Sequence, residues 1–362
     1  MLRSFACGAF GFFALSSLLH AQSAAPAPAA APFAAIPPST VATLPAKAST
    51  PDGQDIIQQA TADLTRPPGA LAKLHTEGTL PHQGIRDQSA AAEKDFPVLL
   101  DLALAYRLTG DARFLKQTDA YFSAWFPLYH ASLNPIDETN FDHFIFAYDL
   151  TRSALPAATQ TAVNGFLTEL AQGYLKFLQN PKRYGDNWES HRVKLATLAA
   201  YALGDAGMIA QARQDFSTQI AHNIRPDGSV LDFEKRDALH YVVYDLEPLS
   251  VACLAAKAHG QDWFHEVPPG GASVAQGVDW FLPYARGEKT HQEFVHSVVK
   301  FDAQRAQAGV PGFTGRWDRK GALGLLAFAA ALDPARQAEL DQFTASTGQR
   351  VPAWIVLVFP SR

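Results

Sequence analysis

The segment AYRLTGD, residues 105–111, decides the fold class, because it joins the end of one predicted helix to the start of another. Glycine readily takes the left-handed conformation that closes a helix, and aspartate is a preferred cap for the next one. The phrase returns as AYALGD at residues 200–205 and, more loosely, as AAKAHGQD at residues 255–262. Each copy predicts a helix–turn–helix corner, and repeated corners are typical of stacked helical pairs.

Outward from these corners, apolar residues recur every three or four positions through most of residues 88–345, as in amphipathic helices. No sustained run of alternating strands is found. We therefore predict an all-α fold, an (α/α) toroid or incomplete barrel of helical hairpins, in one domain over residues 51–362. The run WIVLVF at residues 354–359 is the segment most typical of a short strand.

Composition limits the function classes. The chain has 362 residues, of which 48% are apolar, enough to bury a sizeable core. Its formal net charge is −5 and it contains no block of Lys or Arg. Phosphate contacts need clustered cations, so a general nucleic-acid binder is not expected.

The N-terminus is typical of an exported protein. Residues 1–21 combine one positive charge, an apolar run and a small residue for cleavage, which predicts a signal peptide. We expect a periplasmic or secreted protein with no membrane attachment after cleavage. Residues 22–50 are rich in Ala and Pro and predict an extended linker, so that the folded part begins near Gln54. Cleavage leaves Cys253 as the only cysteine, which excludes an intrachain disulfide and Cys-based zinc sites.

Four polar clusters interrupt the helices, and the first spans residues 134–143. Its turn formers and caps have a structural interpretation, which this segment taken alone favours. The functional interpretation is a loop that presents amides and carboxylates at one mouth of a toroid. On that interpretation the substrate-binding residues are Asn134, Glu138, Asn140 and His143.

The second cluster, residues 184–194, pairs an amide with an imidazole. If the segment is helical, Asn187 and His191 share one face, and Trp188 and Arg192 share another. Together with Arg183, these side chains would suit an anion such as a carboxylate. The structural alternative is a capping Asn and a solvated basic turn.

The third cluster follows a predicted Pro-Asp-Gly turn and lies on a helix rich in ionisable groups. Arg236, His240 and Tyr244 share one face by their spacing, and Tyr241 lies on another. Buried polar groups need partners, so this density predicts a wet cavity. A fourth cluster contains His291 and Glu293, which either complete a polar ring or belong to an amphipathic surface helix.

The third cluster also carries a family resemblance. PDGS at residues 226–229, ALHY at residues 238–241 and the Tyr244 that follows resemble the alginate lyase domain of the polysaccharide lyases. AYDL at residues 147–150 resembles the upstream segment of that family, and the likeness covers residues 85–330. It implies an (α/α) toroid that cleaves acidic polysaccharides by β-elimination, without a cofactor or metal.

Carried over by position, Tyr241 resembles the catalytic tyrosine of this family, His191 its histidine and Asn187 the accompanying amide. The sequence departs from the mannuronate-type lyases in two places. Ser190 stands directly before the histidine where those enzymes have asparagine, and Glu234-Lys235 stand where they have an Arg-Gly pair, so that Arg236 is the nearest substitute. Another polyuronate, such as glucuronan, is therefore an alternative substrate.

These residue types suit the removal of the C5 proton of a uronate. Donors such as Asn187, His191 and an Arg can neutralise the carboxylate and stabilise the developing enediolate. Tyr241 can serve as base and acid if both atoms lie on one side of the sugar, provided that neighbouring cations lower its pKa. If they lie on opposite sides, His191 is the base and Tyr241 the acid.

Two other function classes remain open from the sequence. A glycoside hydrolase needs two flanking carboxylates, for which Glu138, Asp142, Glu189 and Glu234 are available. A non-catalytic sugar-binding protein would use the aromatic residues and Arg without Tyr241. In each case the expected partner is an acidic polysaccharide, and a monomer is favoured. Cations near His191 and Tyr241 predict a basic groove in an acidic protein.

Overall fold

The computed structural model describes Met1, residues 31–180 and residues 185–361. The predicted signal peptide, apart from Met1, lies outside the described residues. The chain divides into residues 1–31 and residues 32–362, and the second unit contains all the named helices. In the described part of the chain there is no strand, only two isolated β-bridges. The helices are α1 (Pro38–Thr43), α2 (Pro51–Ala62), α3 (Arg86–Ala92), α4 (Asp95–Thr109), α5 (Ala112–Trp125), α6 (Phe141–Thr151), α7 (Ala157–Leu178), α8 (Asn187–Leu203), α9 (Ala206–Asn223), α10 (Leu231–Arg236), α11 (Leu239–Ala258), α12 (Val274–Ala285), α13 (Lys300–Gln307), α14 (Leu323–Leu332), α15 (Gln337–Thr347) and α16 (Ala353–Val358).

The longer helices form two layers. α4, α6, α8, α11 and α14 pack side by side in that order as an inner layer. Helices α2, α5, α7, α9, α12 and α15 pack outside them. In α8 every residue except Trp188 and Leu203 is buried, whereas α9 buries one side only. The all-α architecture of helical hairpins, expected for an (α/α) toroid, is confirmed.

The helical corners form as their glycines and aspartates predict. Gly110 ends α4 at φ 72°, and the Asp111 carboxylate accepts from the Arg113 N–H at the start of α5. Gly204 ends α8 at φ 68°, and Asp205 caps α9. The third copy forms only its first half. Gly260 is left-handed, but Asp262 accepts from the His265 N–H inside a loop and no helix starts there.

The linker prediction for residues 22–50 is wrong for the part that the structure describes from Pro32 onward. The backbone N–H groups of Ala34, Ala35 and Ile36 all donate to the Asp149 carboxylate, at 2.7 to 3.0 Å. α1 follows directly, and Leu44 is fully buried. We call residues 32–36 the N-terminal strap. Its buried alanines, and the Asp149 carboxylate of α6 that accepts from three of its N–H groups, fix an Ala/Pro-rich sequence that composition alone predicts to be extended.

The predicted strand at residues 354–359 is also wrong, because this run forms α16. Trp354 packs near Phe146, Phe328 and Phe359, and α16 lies against α2. No described strand lies beside it to accept ladder hydrogen bonds, so a helix, which satisfies its own backbone, is the conformation that can be buried here.

Two further features bear on the environment of the chain. Cys253 is a free, fully buried thiol on α11. Among the described helices, none has the length and apolar character needed to span a bilayer.

Candidate active site

A cavity of about 380 Å³ opens where α8, α10, α11 and α13 meet the loop that follows α2. It is lined by residues of both charges and by several aromatic rings: Glu77, Gly78, Ile136, Asp186, Asn187, Trp188, Asp232, Lys235, Arg236, Tyr241, Tyr244, Val299, Phe301 and Arg305. Five of the residues predicted for the site, Asn187, Trp188, Arg236, Tyr241 and Tyr244, therefore come together in one place.

Tyr241 stands in the first turn of α11 between two guanidinium groups. Nη1 of Arg305 donates to the phenol oxygen at 2.9 Å. The guanidinium carbon of Arg236 lies 3.6 Å from the centroid of the tyrosine ring. Arginine can only donate, so the phenol oxygen accepts from Arg305 and its own O–H remains available to donate elsewhere. Tyr241 is only 5% exposed, and the cavity is the space that it borders.

Burial and the two cations act on the Tyr241 phenol in opposite directions. Burial raises its pKa, and Arg236 and Arg305 lower it, with burial as the larger effect. The pKa of Tyr241 therefore lies above its usual range, and the phenol is protonated near neutral pH. The cations that the sequence analysis required are present, yet they do not outweigh desolvation in the free protein.

A sharp backbone turn between α10 and α11 brings Arg236 and Tyr241 together. Asp237 takes a left-handed conformation with φ 49°, which is uncommon outside glycine. Its carbonyl accepts from the Phe294 N–H at 2.8 Å and lies 2.9 Å from Nε2 of His291. Its carboxylate accepts from the His296 N–H at 2.9 Å. His291 thus holds this turn and does not line the cavity, so the structure does not bring it to the other predicted site residues.

Asn187 is the first residue of α8, following the capping residue Asp186. Its backbone N–H and its side-chain Nδ2 donate to Oδ2 of Asp232, at 2.7 and 3.0 Å. Burial raises the pKa of Asp232 to about 6, against the opposing effect of these hydrogen bonds. Asp232 fixes the orientation of the Asn187 amide at the cavity wall and leaves its second Nδ2 hydrogen unclaimed by this bond.

His191 lies one turn further along α8, behind Tyr244. Its Nδ1 is 2.7 Å from the Thr139 hydroxyl, and its ring centroid is 4.4 Å from that of Tyr244. Its Nε2 is buried and has no hydrogen-bond partner in the described part of the chain. Burial and the nearby Lys194 ammonium hold the pKa of His191 well below its usual range, so the ring is neutral. Although the predicted helical face exists, His191 does not line the cavity.

Trp188 and His240 complete the aromatic part of the site. Trp188 lines the cavity and is partly exposed, with the Arg192 guanidinium 5.3 Å from its ring. His240 is exposed beside the cavity, where its ring lies parallel to Tyr244 at 6.2 Å. Arg192 itself is buried, pairs with Glu189 and stacks on Phe177. Its charge is already matched inside the fold, and it does not line the cavity.

Two predicted carboxylates are structural as well. Glu138 is fully buried and accepts from the hydroxyls of Tyr129, Ser132 and Tyr174. Glu293 accepts from the backbone N–H groups of Leu239 and His240, at 2.8 and 3.1 Å, and so caps α11. Both carboxylates are held by internal donors, and neither lines the cavity.

The remaining predicted residues lie away from the cavity or outside the description. Asn134 caps its own turn by accepting from the Ile136 N–H at 3.1 Å. His143 lies 2.9 Å from the Asp142 carboxylate and faces Trp354. Asn140 precedes α6 and does not line the cavity. Arg183 lies outside the described residues.

Several groups that complete the site were not among the predicted site residues. Arg305 and Asp302 are three residues apart on α13, which follows the fourth cluster, and the Asp-x-x-Arg spacing was the available signal. Glu77 and Gly78 come from the loop after α2, which Asp137 ties down by accepting from the Thr76 and Glu77 N–H groups. The loop is rich in Gly, Pro and His, a composition that leaves open whether it contacts a substrate or only wraps the fold. The role of Asp232 has no signal in the local sequence.

The described residues of the cavity wall do not form the expected basic groove, and residues 181–184 lie outside the description. Among the described residues, the cavity wall carries three cations, Lys235, Arg236 and Arg305, and three carboxylates, Glu77, Asp186 and Asp232. Of the other cations expected here, Lys194 is buried against Asp142 at 2.8 Å. The wall is therefore charge-balanced, with its guanidinium groups concentrated around Tyr241. The described residues contain no group of three or more His, Cys, Asp or Glu side chains arranged to hold a metal ion.

Comparison with known proteins agrees with this arrangement. The model of the alginate lyase family matches residues 42–291. An alginate lyase from Bacteroides ovatus superposes with a TM-score of 0.67 at 16% identity, covering 90% of this chain and 98% of that chain. Alginate lyase A1-III from Sphingomonas species A1 gives 0.52 at 17% identity, covering 68% and 77%.

A variant of A1-III with a histidine replaced by alanine, complexed with a tetrasaccharide, gives a TM-score of 0.58 at 16% identity. That comparison covers 84% of this chain and 89% of the other. At these identities the structures show the shared fold. No curated protein sequence matches the chain significantly. Because the family model spans more than half of the sequence, the chain belongs to the alginate lyase family of polysaccharide lyases.

Proposed function

We propose that this cavity cleaves a uronate polysaccharide of the alginate or polymannuronate type by β-elimination at Tyr241. The observation that carries the proposal is the Tyr241 phenol, placed at the cavity wall with Arg305 donating to its oxygen at 2.9 Å. A group that must lose and regain a proton is best placed where a fixed cation can stabilise its charged form.

The second requirement is to neutralise the substrate carboxylate. The C5 proton is α to that carboxylate and becomes acidic only when donors stabilise the developing enediolate. Asn187, Lys235 and Arg236 border the same cavity and can supply such donors. Asp232 holds the amide of Asn187 in place before substrate binds, which avoids reorganisation during the reaction.

We assign both proton transfers to Tyr241. The phenolate takes the C5 proton, the C4–O4 bond breaks, and a C4–C5 double bond forms as the phenol returns the proton to O4. His191 is the less suitable base, because its free Nε2 is buried and its ring packs on Tyr244 without lining the cavity. Its neutral state does favour the alternative in which His191 is the base and Tyr241 only the acid.

The sugar chain is expected to lie across the partly exposed Trp188 ring, because indole faces pack well against pyranose C–H groups. A tetrasaccharide occupies the related A1-III enzyme in variants that replace a histidine or a tyrosine. We also propose that the chain is exported through its predicted signal peptide, so that it meets a polysaccharide outside the cytoplasm.

The carboxylates considered for a hydrolase do not support that function. Glu138, Asp142 and Glu189 are buried and bonded to internal partners. Glu234 pairs with Arg225 and is absent from the cavity wall. None of them is free to flank a glycosidic bond in the way hydrolysis requires.

The test is to incubate the purified protein with polymannuronate, polyguluronate, glucuronan and hyaluronan, and to follow ultraviolet absorbance. We expect an absorbing unsaturated product from the first substrate and its loss in Tyr241→Phe. Tyr284→Phe is the matched control, because that tyrosine packs on Trp280 away from the cavity. Cleavage that creates reducing ends without absorbance would exclude elimination, and a product from glucuronan alone would change the substrate.

The pH profile decides which group is the base. If Tyr241 is the base, activity rises toward alkaline pH, since burial holds the pKa of its phenol above the usual range. If His191 is the base, its pKa is lowered, so activity is already maximal near neutral pH and falls as Tyr241 ionises.

A further inference from the structure

We propose that Asp302 is the positioning residue of the site, because it holds Arg236 and Arg305 on opposite parts of Tyr241. The proposal rests on the proposed function of Tyr241 and extends it to a residue that does not line the cavity.

The contacts of Asp302 converge on the two guanidinium groups. Oδ1 accepts from Nη2 of Arg236 at 2.8 Å and Oδ2 accepts from its Nε at 3.1 Å, which is the bidentate geometry that arginine forms best. Nη1 of Arg305 lies 3.7 Å from Oδ1. The Ser297 hydroxyl donates to Oδ2 at 2.7 Å. One carboxylate thus hydrogen-bonds Arg236 at two points and lies within ion-pair distance of Arg305.

Asp302 is buried, which makes its pairing with the two arginines important for its own stability and for their position. Its side chain is 1% exposed, and a buried carboxylate is stable only when it is paired with cations. The two arginines supply that pairing. With Asp302 as their common partner, Arg236 lies over the Tyr241 ring and Arg305 donates to the phenol oxygen. Without Asp302 both long side chains would gain rotamer freedom and could turn toward solvent or toward the other carboxylates of the cavity.

The charged and titratable groups around the Tyr241 phenol determine how its pKa responds to a substitution. Among the described residues they are Arg236 from α10, Arg305 and Asp302 from α13, and His240 and Tyr244 from its own helix. Two consequences of removing the Asp302 charge can then be distinguished by the direction in which the pKa of Tyr241 moves. Loss of the carboxylate charge with the arginines still in place would lower the pKa of Tyr241, whereas departure of the arginines would raise it, because burial would act unopposed.

The experiment compares wild type with Asp302→Asn, using protein labelled with ¹³C at tyrosine Cζ and Tyr241→Phe to assign the signal. We expect the ionisation midpoint of Tyr241 to rise in Asp302→Asn. We also expect kcat on polymannuronate to fall about 10- to 100-fold, as misplaced catalytic groups do, with a smaller change in KM. Asp302→Glu should recover part of both quantities.

Controls separate positioning from a general loss of structure. Glu234→Gln breaks the bidentate pair with Arg225 at 2.7 and 2.8 Å on the neighbouring α10, without touching Tyr241, and should change neither quantity. Ser297→Ala removes one hydrogen bond from Asp302 and should raise the midpoint slightly, even if Asp302→Asn does not fold.

An unchanged or lowered midpoint in both Asp302→Asn and Ser297→Ala would overturn the proposal. The titration needs no turnover. If wild type forms no unsaturated product, the proposed function fails, yet the midpoints still decide whether Asp302 holds the arginines.

Discussion

Two polar regions with similar composition behave differently in this protein. The loop at residues 134–143 and the wall formed by the start of α8 with α10 and α11 both contain amides, acids and a histidine. In the loop, Glu138 accepts from three side-chain hydroxyls and Asn134 caps its own turn. At the wall, Asn187 is oriented by one carboxylate but still borders open space.

The difference lies in where the hydrogen bonds are satisfied. A buried polar group whose partners all come from its own neighbourhood stabilises the fold and has nothing left for a ligand. A group that is held on one side only, as Tyr241 is by Arg305, keeps a free donor for the cavity. Residue type therefore identifies candidates, and the partners decide between structure and function.

The largest difference between the two regions is expected when one asparagine in each is replaced by alanine. Asn187→Ala removes a donor for the substrate carboxylate, so we expect kcat/KM on polymannuronate to fall about 100- to 1,000-fold. The matched Asn134→Ala loses only a turn hydrogen bond and should keep wild-type kinetics. Steady-state rates from ultraviolet absorbance measure both, and equal losses in the two variants would remove the distinction.

The second prediction concerns stability at the loop. Glu138→Gln replaces an acceptor with a donor facing Tyr hydroxyls, so we expect the free energy of unfolding to fall by about 1–3 kcal/mol. The kcat/KM value should stay near that of wild type, since Glu138 is absent from the cavity wall. Urea unfolding with a parallel activity assay tests this, and a lost activity in a stable variant would contradict it.

The smallest effect is expected at His143. His143→Ala removes one partner from Asp142, which keeps Lys194 at 2.8 Å. Because the imidazole is partly exposed, the loss of unfolding free energy should be at most ~1 kcal/mol, with unchanged kinetics. A large loss of activity in His143→Ala would show that His143 acts in the active site.

Much of the fold was predictable from local sequence. The corners at Gly110 and Gly204 form because glycine and aspartate satisfy the ends of two helices within a few residues. The apolar spacing identified the helices themselves. The strand expected at residues 354–359 failed because a short apolar run is compatible with either structure, and only its neighbours choose between them.

The site was predictable in part. Tyr241, Arg236 and Asn187 were found because their spacing places them on helix faces near a turn and because they resemble a family pattern. Arg305 and Asp232 were missed, since their importance depends on contacts across 64 and 45 residues of sequence. Spacing along one helix carries no information about such contacts. The same spacing led to Arg192 being predicted as a substrate-binding residue, although its side chain is buried.

The N-terminal strap has a practical consequence for any shortened form of the protein. A chain that began at Gln54, where the Ala/Pro-rich composition ends, would leave the partly buried Asp149 carboxylate without its three amide donors. It would also uncover the faces on which Ala34, Ile36 and Leu44 are buried. A shortened gene product should therefore keep residue 32 onward, and a protease that cuts within the strap would release a molecule with an uncompensated charge and a fresh apolar surface for aggregation.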